Sequence, residues 1–268
     1  MSTDRGLTTV AHISDLHIAR RPPWSQLNFK RLLGYVNYNV SRRIRHRESS
    51  VEGALVKLAR LRPDLVIASG DLTQLGLDGE LLELRDLLLG LKDTGIPVFI
   101  APGNHDCYAG FHPEALADLR RELSLGHAPD DHGIHHFPGV DILILDQGIP
   151  TPPFAAYGRT KAGELEAASG GWADPPSGVS RLVSGHFPVA SRGGGKPKPL
   201  HGLIDWREMR MFLRGHSVAA YLCGHDHKRY RVELPGGCVQ YVAPALPLDD
   251  GVDVYECSGD GVKPLPPL

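Results

Sequence analysis

Five times along this chain, a short apolar run ends in a cluster of side chains that bind metals well. The clusters are Asp15-Leu16-His17, Ser69-Gly70-Asp71, Gly103-Asn104-His105-Asp106, Gly185-His186 and Gly224-His225-Asp226-His227. The runs before them, 7–13, 65–68, 96–101, 181–184 and 218–223, are rich in Val, Ile, Leu and Ala and read as buried strands. Ligands of open α/β sheets gather at the C-terminal ends of strands, so the chain has to bring five such ends together. Ser69-Gly70-Asp71 is the centre of that arrangement. Gly70 permits a tight turn that points Asp71 back over the strand ends. A carboxylate has two oxygens with several lone pairs and can serve two cations at once. Histidine and an amide oxygen fill further positions without adding negative charge.

Between the runs, helical spacing predicts helices over 50–61, 78–91, 112–125, about 161–168 and 205–213. The opening βαβαβ order argues for parallel strands joined by right-handed crossovers. Residues 140–145 form a further strand, and 126–139 read as a polar loop carrying His127, His132, His135 and His136. The alternating segments 230–234, 238–243 and 252–257 read as an antiparallel meander belonging to a second sheet. Residues 188–202, with four glycines, three prolines and basic side chains, read as a flexible, lid-like loop beside His186. The proline-rich end, 259–268, reads as a poorly ordered tail.

The 268 residues are enough for one domain with a substantial core, and no clean boundary divides 1–268. A net charge of -2 gives no global pull toward nucleic acid or membrane. No apolar run approaches the roughly 20 residues of a membrane span. Cys107, Cys223, Cys238 and Cys257 form no CxxC pair, and no signal peptide is apparent, which together predict reduced thiols in a cytoplasmic protein. One segment departs from this even balance. Residues 18–47 carry eight Arg or Lys and no acid, interleaved with Leu27, Phe29, Leu32, Leu33, Tyr35, Val36 and Tyr38. A basic helical insertion over about 27–46 is expected. It could cap the site, touch anionic lipid at the inner membrane, or be an ordinary solvated surface helix.

The string D-x-H, G-D, G-N-H-D, G-H, G-H-x-H, running from 12 to 227, resembles the calcineurin-like metallophosphoesterases. His12-Ile-Ser-Asp-Leu-His17 with Gly103-Asn104-His105-Asp106 is most similar to the bacterial class III cyclic-nucleotide phosphodiesterase group. The resemblance implies an α/β fold, a four-layer α-β-β-α sandwich of two mixed sheets flanked by helices. It also implies two divalent or trivalent transition-metal ions. Asp15, His17, Asp71 and His227 would hold one, and Asp71, Asn104, His186 and His225 the other, with a hydroxide bridging them. His105 would face the phosphate and act on the leaving oxygen or the transition state, and Asp106 would orient His105.

The charge inventory is sensible for such a site. Two divalent ions carry more positive charge than two carboxylates and one hydroxide return, so the pocket stays attractive to a phosphate anion. The mixed N/O donor set suits Mn, Fe or Zn better than Ca or Mg and leaves the choice among the three open. The resemblance implies hydrolysis of a phosphodiester, either a cyclic nucleotide or a related small diester. The 18–47 insertion departs from the compact form of that group and keeps open a membrane-surface enzyme acting on a lipid-linked phosphodiester or pyrophosphate. A broad-specificity phosphomonoesterase and a catalytically silent scaffold are further alternatives. The expected partner is a small-molecule phosphoester, with no stable nucleic-acid partner. A homodimer through 27–46 or the tail is open.

Overall fold

Strand β1 (Leu7–Ile13) shows how the layers arise. Successive side chains of a strand point to opposite faces, and here both faces are apolar. Val10 joins one core cluster and Ala11 and Ile13 another. Strand β2 (Leu65–Ser69) repeats the pattern, with Leu65 and Ile67 on the first face and Val66 and Ala68 on the second. A sheet apolar on both faces must be covered on both. The computed structural model describes residues 6–23, 25, 31–32, 48–107, 113–152, 154–173, 178–249 and 251–268 and shows what covers them.

One face of this sheet is covered by helices. Helix α1 (Glu48–Leu61) presents Val51, Ala54, Leu55 and Leu58, a stripe at three- and four-residue spacing. Helix α2 (Asp78–Lys92) adds Leu81, Leu84, Leu88 and Leu91, and α3 (Pro113–Leu123) adds Leu116, Leu119 and Leu123. The other face packs on a second sheet. There Val10, Leu65, Ile67 and Phe99 meet Val140, Ile142, Leu182 and Leu222. The far side of the second sheet is covered by α4 (Glu164–Gly171) and α5 (Trp206–Gly215), through Ala168, Met209, Phe212 and Leu213. The four-layer α-β-β-α sandwich expected from the sequence is the fold of this chain.

Both sheets are mixed. The first has the order β11-β10-β1-β2-β3, where β3 is Val98–Ala101, β10 is Asp253–Ser258 and β11 is Gly261–Pro264. Strands β1, β2 and β3 are parallel, as the βαβαβ reading requires. The second sheet has the order β4-β5-β6-β7-β9-β8. Its strands are β4 (Ile134–Phe137), β5 (Val140–Ile144), β6 (Ser180–Ser184), β7 (Ala220–Cys223), β8 (Tyr230–Glu233) and β9 (Val239–Val242). Strands β5, β6, β7 and β9 are parallel. The C-terminal ends of β1, β2, β3, β6 and β7 carry the five clusters.

Four expectations are corrected. The third segment of the proposed meander does not continue the second sheet: β10 pairs antiparallel with β1, placing Tyr255 and Cys257 between the sheets. The 126–139 segment is not all loop, because 134–137 form β4 against β5. The 259–268 tail is ordered: β11 pairs with β10, and Leu265 and Leu268 donate their N–H groups to the Val254 and Val252 carbonyls. The 188–202 segment is tied down more firmly than a lid-like loop. Gln240 Oε1 accepts from the Val189 and Ala190 N–H groups, and Arg210 donates to the Val189 and Gly195 carbonyls.

Most of the expected helix over 27–46 lies outside the described residues. Of that stretch Arg31 is described and buried, donating from Nε and Nη2 to the Leu75 and Gly76 carbonyls. Among the described residues no helix is long and apolar enough to cross a membrane. All four cysteines are free and buried.

Candidate metal centre

The exits of β1 and β2 are zipped together beyond the end of the regular sheet. Asp15, His17 and Ile18 donate their N–H groups to the carbonyls of Gly70, Asp71 and Leu72, at 2.9–3.0 Å. Asp15, His17 and Asp71 all take left-handed backbone, with φ of 53°, 48° and 50°, and so do His225 (71°) and His227 (55°). Left-handed backbone costs a non-glycine residue roughly 1–2 kcal/mol. Finding it five times in one small volume marks a place where side-chain direction matters more than backbone comfort.

The result is two groups of donor atoms, each lying within 4.8 Å of one another. One is Asp15, His17, Asp71 and His227, and the other is Asp71, His186 and His225. Asp71 belongs to both. Its Oδ1 accepts the His105 N–H at 2.8 Å and lies 3.4 Å from His186 Nε2. Asp15 divides its oxygens: Oδ2 accepts from Ser14 Oγ and the His225 N–H, while Oδ1 stands 3.1 Å from His227 Nε2. His186 Nδ1 lies 2.7 Å from the Ser69 carbonyl, which can only accept, so Nδ1 carries a proton and Nε2 is the nitrogen that faces the site.

Asn104 lies in the loop that donates to Asp71. Its Oδ1 is buried with no hydrogen-bond partner among the described residues. A buried orphan acceptor is costly unless something positive meets it. That orphan, the two converging carboxylates and the neutral imidazoles fit a pair of transition-metal ions. Among the described residues the structure brings together Asp15, His17, Asp71, His186, His225 and His227, with Asn104 in the adjoining loop. None of His127, His132, His135 and His136 joins either group.

Electrostatics follow from crowding. Burial alone would raise the Asp71 carboxyl, but His186 and His105 outweigh it and hold Asp71 well below the usual carboxylate range. Burial opposes the charge on His186 too, yet Asp71 draws it up to about 9. Desolvation pushes His225 down to about 3, so its imidazole is neutral and free to coordinate. Without cations the cluster is thus a set of carboxylates that borrow protons on nearby histidines. Metal ions would take over that neutralising role.

Two glycines are dictated by these contacts. A Cβ on Gly103 would lie 2.3 Å from Asp71 Oδ1, and one on Gly224 would lie 1.8 Å from Ser14 Oγ and 2.4 Å from Asp15 Oδ2. The glycines of G-N-H-D and G-H-x-H are there because the Asp71 and Asp15 carboxylates pass so close.

His105 and Asp106 have different surroundings from those the sequence suggests. His105 Nδ1 lies 2.7 Å from the Gln74 carbonyl, and its Nε2 faces Asp71 Oδ2 at 4.0 Å. The Asp106 carboxylate accepts from the N–H groups of Leu72, Thr73 and Gly103 and from Thr73 Oγ1. It clamps the Gly103–Asp106 turn to the Asp71 loop, and the orientation of the His105 ring falls to Gln74. Burial, followed by the Asp71 charge, pushes Asp106 up to about 6 against the Gly103 and Thr73 donors. Sequence reasoning missed Gln74, since a backbone carbonyl leaves no residue-type signal. It also missed Gln147, whose Oε1 accepts the Phe187 N–H next to His186. A polar residue just past β5 was the available hint for that one.

Comparison with known proteins agrees with this geometry. The model of the calcineurin-like phosphoesterase family matches residues 8–229. The chain is 28% identical to a glycerophosphodiester phosphodiesterase of Enterobacter lignolyticus over 218 residues, 81% of this chain and 70% of that protein. It is 25% identical to a probable cyclic nucleotide phosphodiesterase of a Synechococcus species over 202 residues, 71% of each. In structure it is similar to a dimetal phosphatase from Danio rerio, with a TM-score of 0.66 at 15% identity, covering 98% of both chains. The converging strand ends and the matched span lead to one conclusion: this chain belongs to the calcineurin-like phosphoesterase family of metal-dependent phosphoric ester hydrolases.

Proposed function

We propose that the chain is a dinuclear phosphodiesterase that hydrolyses a small phosphodiester such as a cyclic nucleotide or a glycerol diester. The observation that carries this reading is the sharing of Asp71 between the two donor groups while His105 Nε2 faces the same carboxylate. Asp15, His17, Asp71 and His227 would hold one ion, and Asp71, Asn104, His186 and His225 the other. When bound, such a pair supplies a hydroxide at neutral pH and positive charge for the phosphoryl oxygens.

The chain's own residues do the rest. The Gln74 carbonyl keeps the proton of His105 on Nδ1, so a second proton, when present, sits on Nε2 and points into the site. There it faces the Asp71 carboxylate. From that position His105 can donate to the departing alkoxide, a contribution of roughly 10²–10⁴-fold for a positioned acid. The Asp106 clamp keeps Asn104 and His105 at fixed distance from Asp71. The two curated relatives are both named phosphodiesterases, which supports diester over monoester hydrolysis.

The test is turnover of bis(p-nitrophenyl) phosphate by protein loaded with Mn, Fe or Zn. The expected result is hydrolysis that His105→Ala reduces by about 10²-fold or more with metal content unchanged. Protein that binds two equivalents of metal yet turns over no diester would favour the silent-scaffold alternative.

A further inference from the structure

A cavity of about 320 Å³ opens beside the candidate metal centre, near the lower end of the ligand-pocket range of roughly 300–1,000 Å³. It is lined by Arg192, Lys198, His201, Asp226, Lys228 and Tyr230, among others. Two observations join it to the centre. The His201 ring lies 5.9 Å from that of His225. Of the four consecutive residues 225–228, the two histidines belong to the donor groups, while Asp226 and Lys228 line the cavity.

The lining is basic. Three fixed cations face one carboxylate, and Asp226 Oδ2 is engaged by the Tyr230 hydroxyl at 2.5 Å. None of Arg192, Lys198 and Lys228 has an ion-pair partner among the described residues. Their neighbour Arg229, by contrast, is taken by Asp249 and Asp253. The wall that carries Arg192 is held in place: Gln240 fixes 189–190, and Arg210 donates to the Gly195 carbonyl. The cavity is thus an ordered basic pocket with cations left over, adjacent through His201 and 225–228 to a centre suited to one phosphoryl group.

Resting on the phosphodiesterase reading, we propose that this pocket binds a second anionic group of the substrate. A phosphoryl dianion fits it best, carried on the ester group that stays on phosphorus when the scissile bond breaks. Charge balance favours a dianion over a carboxylate, because three cations against one engaged acid leave more than one positive charge to match. The substrate class is a phosphodiester bearing a further phosphate, rather than a simple cyclic nucleotide or a neutral glycerol diester. Exposed cations each contribute at most a few-fold in binding. Three acting together on one dianion give a preference of roughly tenfold or more, weakened by salt.

The experiment compares p-nitrophenyl methyl phosphate with its 2-carboxyethyl and 2-phosphonoethyl analogues on metal-loaded protein. The phosphonate resists hydrolysis, so all three report the same leaving group. The expected result is a kcat/KM at least about tenfold higher for the phosphonoethyl diester than for the methyl one. The combined variant Arg192→Gln, Lys198→Gln, Lys228→Gln should abolish most of that ratio. Equal rates on all three, or a ratio unchanged in the variant, would overturn the proposal, and an equal gain on the carboxyethyl probe would overturn the dianion assignment.

Calorimetric binding of propane-1,3-diphosphonate against methylphosphonate tests the pocket without turnover. Tighter binding of the diphosphonate that is lost in the triple variant supports it, and equal binding sinks it. Failure to hydrolyse any probe, with this binding difference intact, would count against the phosphodiesterase reading alone.

Discussion

His105 Nδ1 lies 2.7 Å from the carbonyl oxygen of Gln74, three residues beyond Asp71. A ring expected to take its orientation from the neighbouring Asp106 carboxylate takes it from the backbone of the loop that carries Asp71. The same loop is held from outside by Arg31, through the Leu75 and Gly76 carbonyls. The 18–47 stretch is therefore coupled to the geometry of the site through one buried guanidinium.

That coupling makes Arg31→Ala informative. It strands two carbonyls and removes a buried side chain, a cost of about 1–3 kcal/mol. We expect a lower melting temperature and a several-fold fall in kcat, with little change in KM and no loss of bound metal. Loss of metal in step with activity would mean that Arg31 supports the ligands rather than His105.

The two donor groups should empty in a pattern set by Asp71. Asp71→Asn should weaken both sites by more than the roughly 10–100-fold that changes around a metal's ligands cause. His227→Ala should deplete one equivalent of metal and His186→Ala the other. Metal analysis after gel filtration distinguishes these outcomes, and loss of a single equivalent from Asp71→Asn would contradict the shared role.

Gly224→Ala should be far more damaging than its size suggests. The new Cβ would meet Ser14 Oγ and Asp15 Oδ2 at well under contact distance. Overpacking of this kind costs about 1–3 kcal/mol. Here it also pushes on the Asp15 carboxylate, which the proposed function assigns to a metal. Reduced thermal stability together with reduced metal affinity is expected, whereas Gly90→Ala, on the open side of α2 with nothing near its Cβ, should be neutral or slightly stabilising.

Stability should fall as pH rises through the carboxylate range on account of Glu80. Burial pushes this side chain from 4.5 up to about 7, against hydrogen bonds from the Leu75, Leu77 and Arg20 N–H groups. Between those values the folded chain holds a proton that the unfolded chain has released. The contribution is complete below about 4.5 and is lost as pH climbs toward 7. Each tenfold gain in proton affinity on folding is worth about 1.4 kcal/mol, so the whole effect is on the order of 3 kcal/mol. Denaturant midpoints measured at pH 5 and pH 7 should differ less in Glu80→Gln than in the parent, and an unchanged slope would refute the assignment.

Much of the fold can be read along the chain. The stripes at 51, 54, 55, 58 and at 81, 84, 88, 91 declare α1 and α2 because a helix has only one period with which to bury leucines. The parallel β1-β2-β3 core follows from strands alternating with those helices. Harder to read was β10, whose alternation is equally compatible with either sheet. It joins β1 because Tyr255 and Cys257 fill the space between the sheets, a fact about packing. Strand β4 was hidden by its two histidines, and β11 by the prolines around it.

The sequence by itself named the donor side chains that the fold gathers, because donor chemistry is a property of residue type and each donor follows a strand. It did not determine how those side chains are aimed. The orientation of His105 by a carbonyl, the clamp made by Asp106, the left-handed turns at the donor residues and the basic pocket next to His225 depend on backbone groups and on residues far apart in the chain. Only closure of the two sheets brings those within hydrogen-bonding distance.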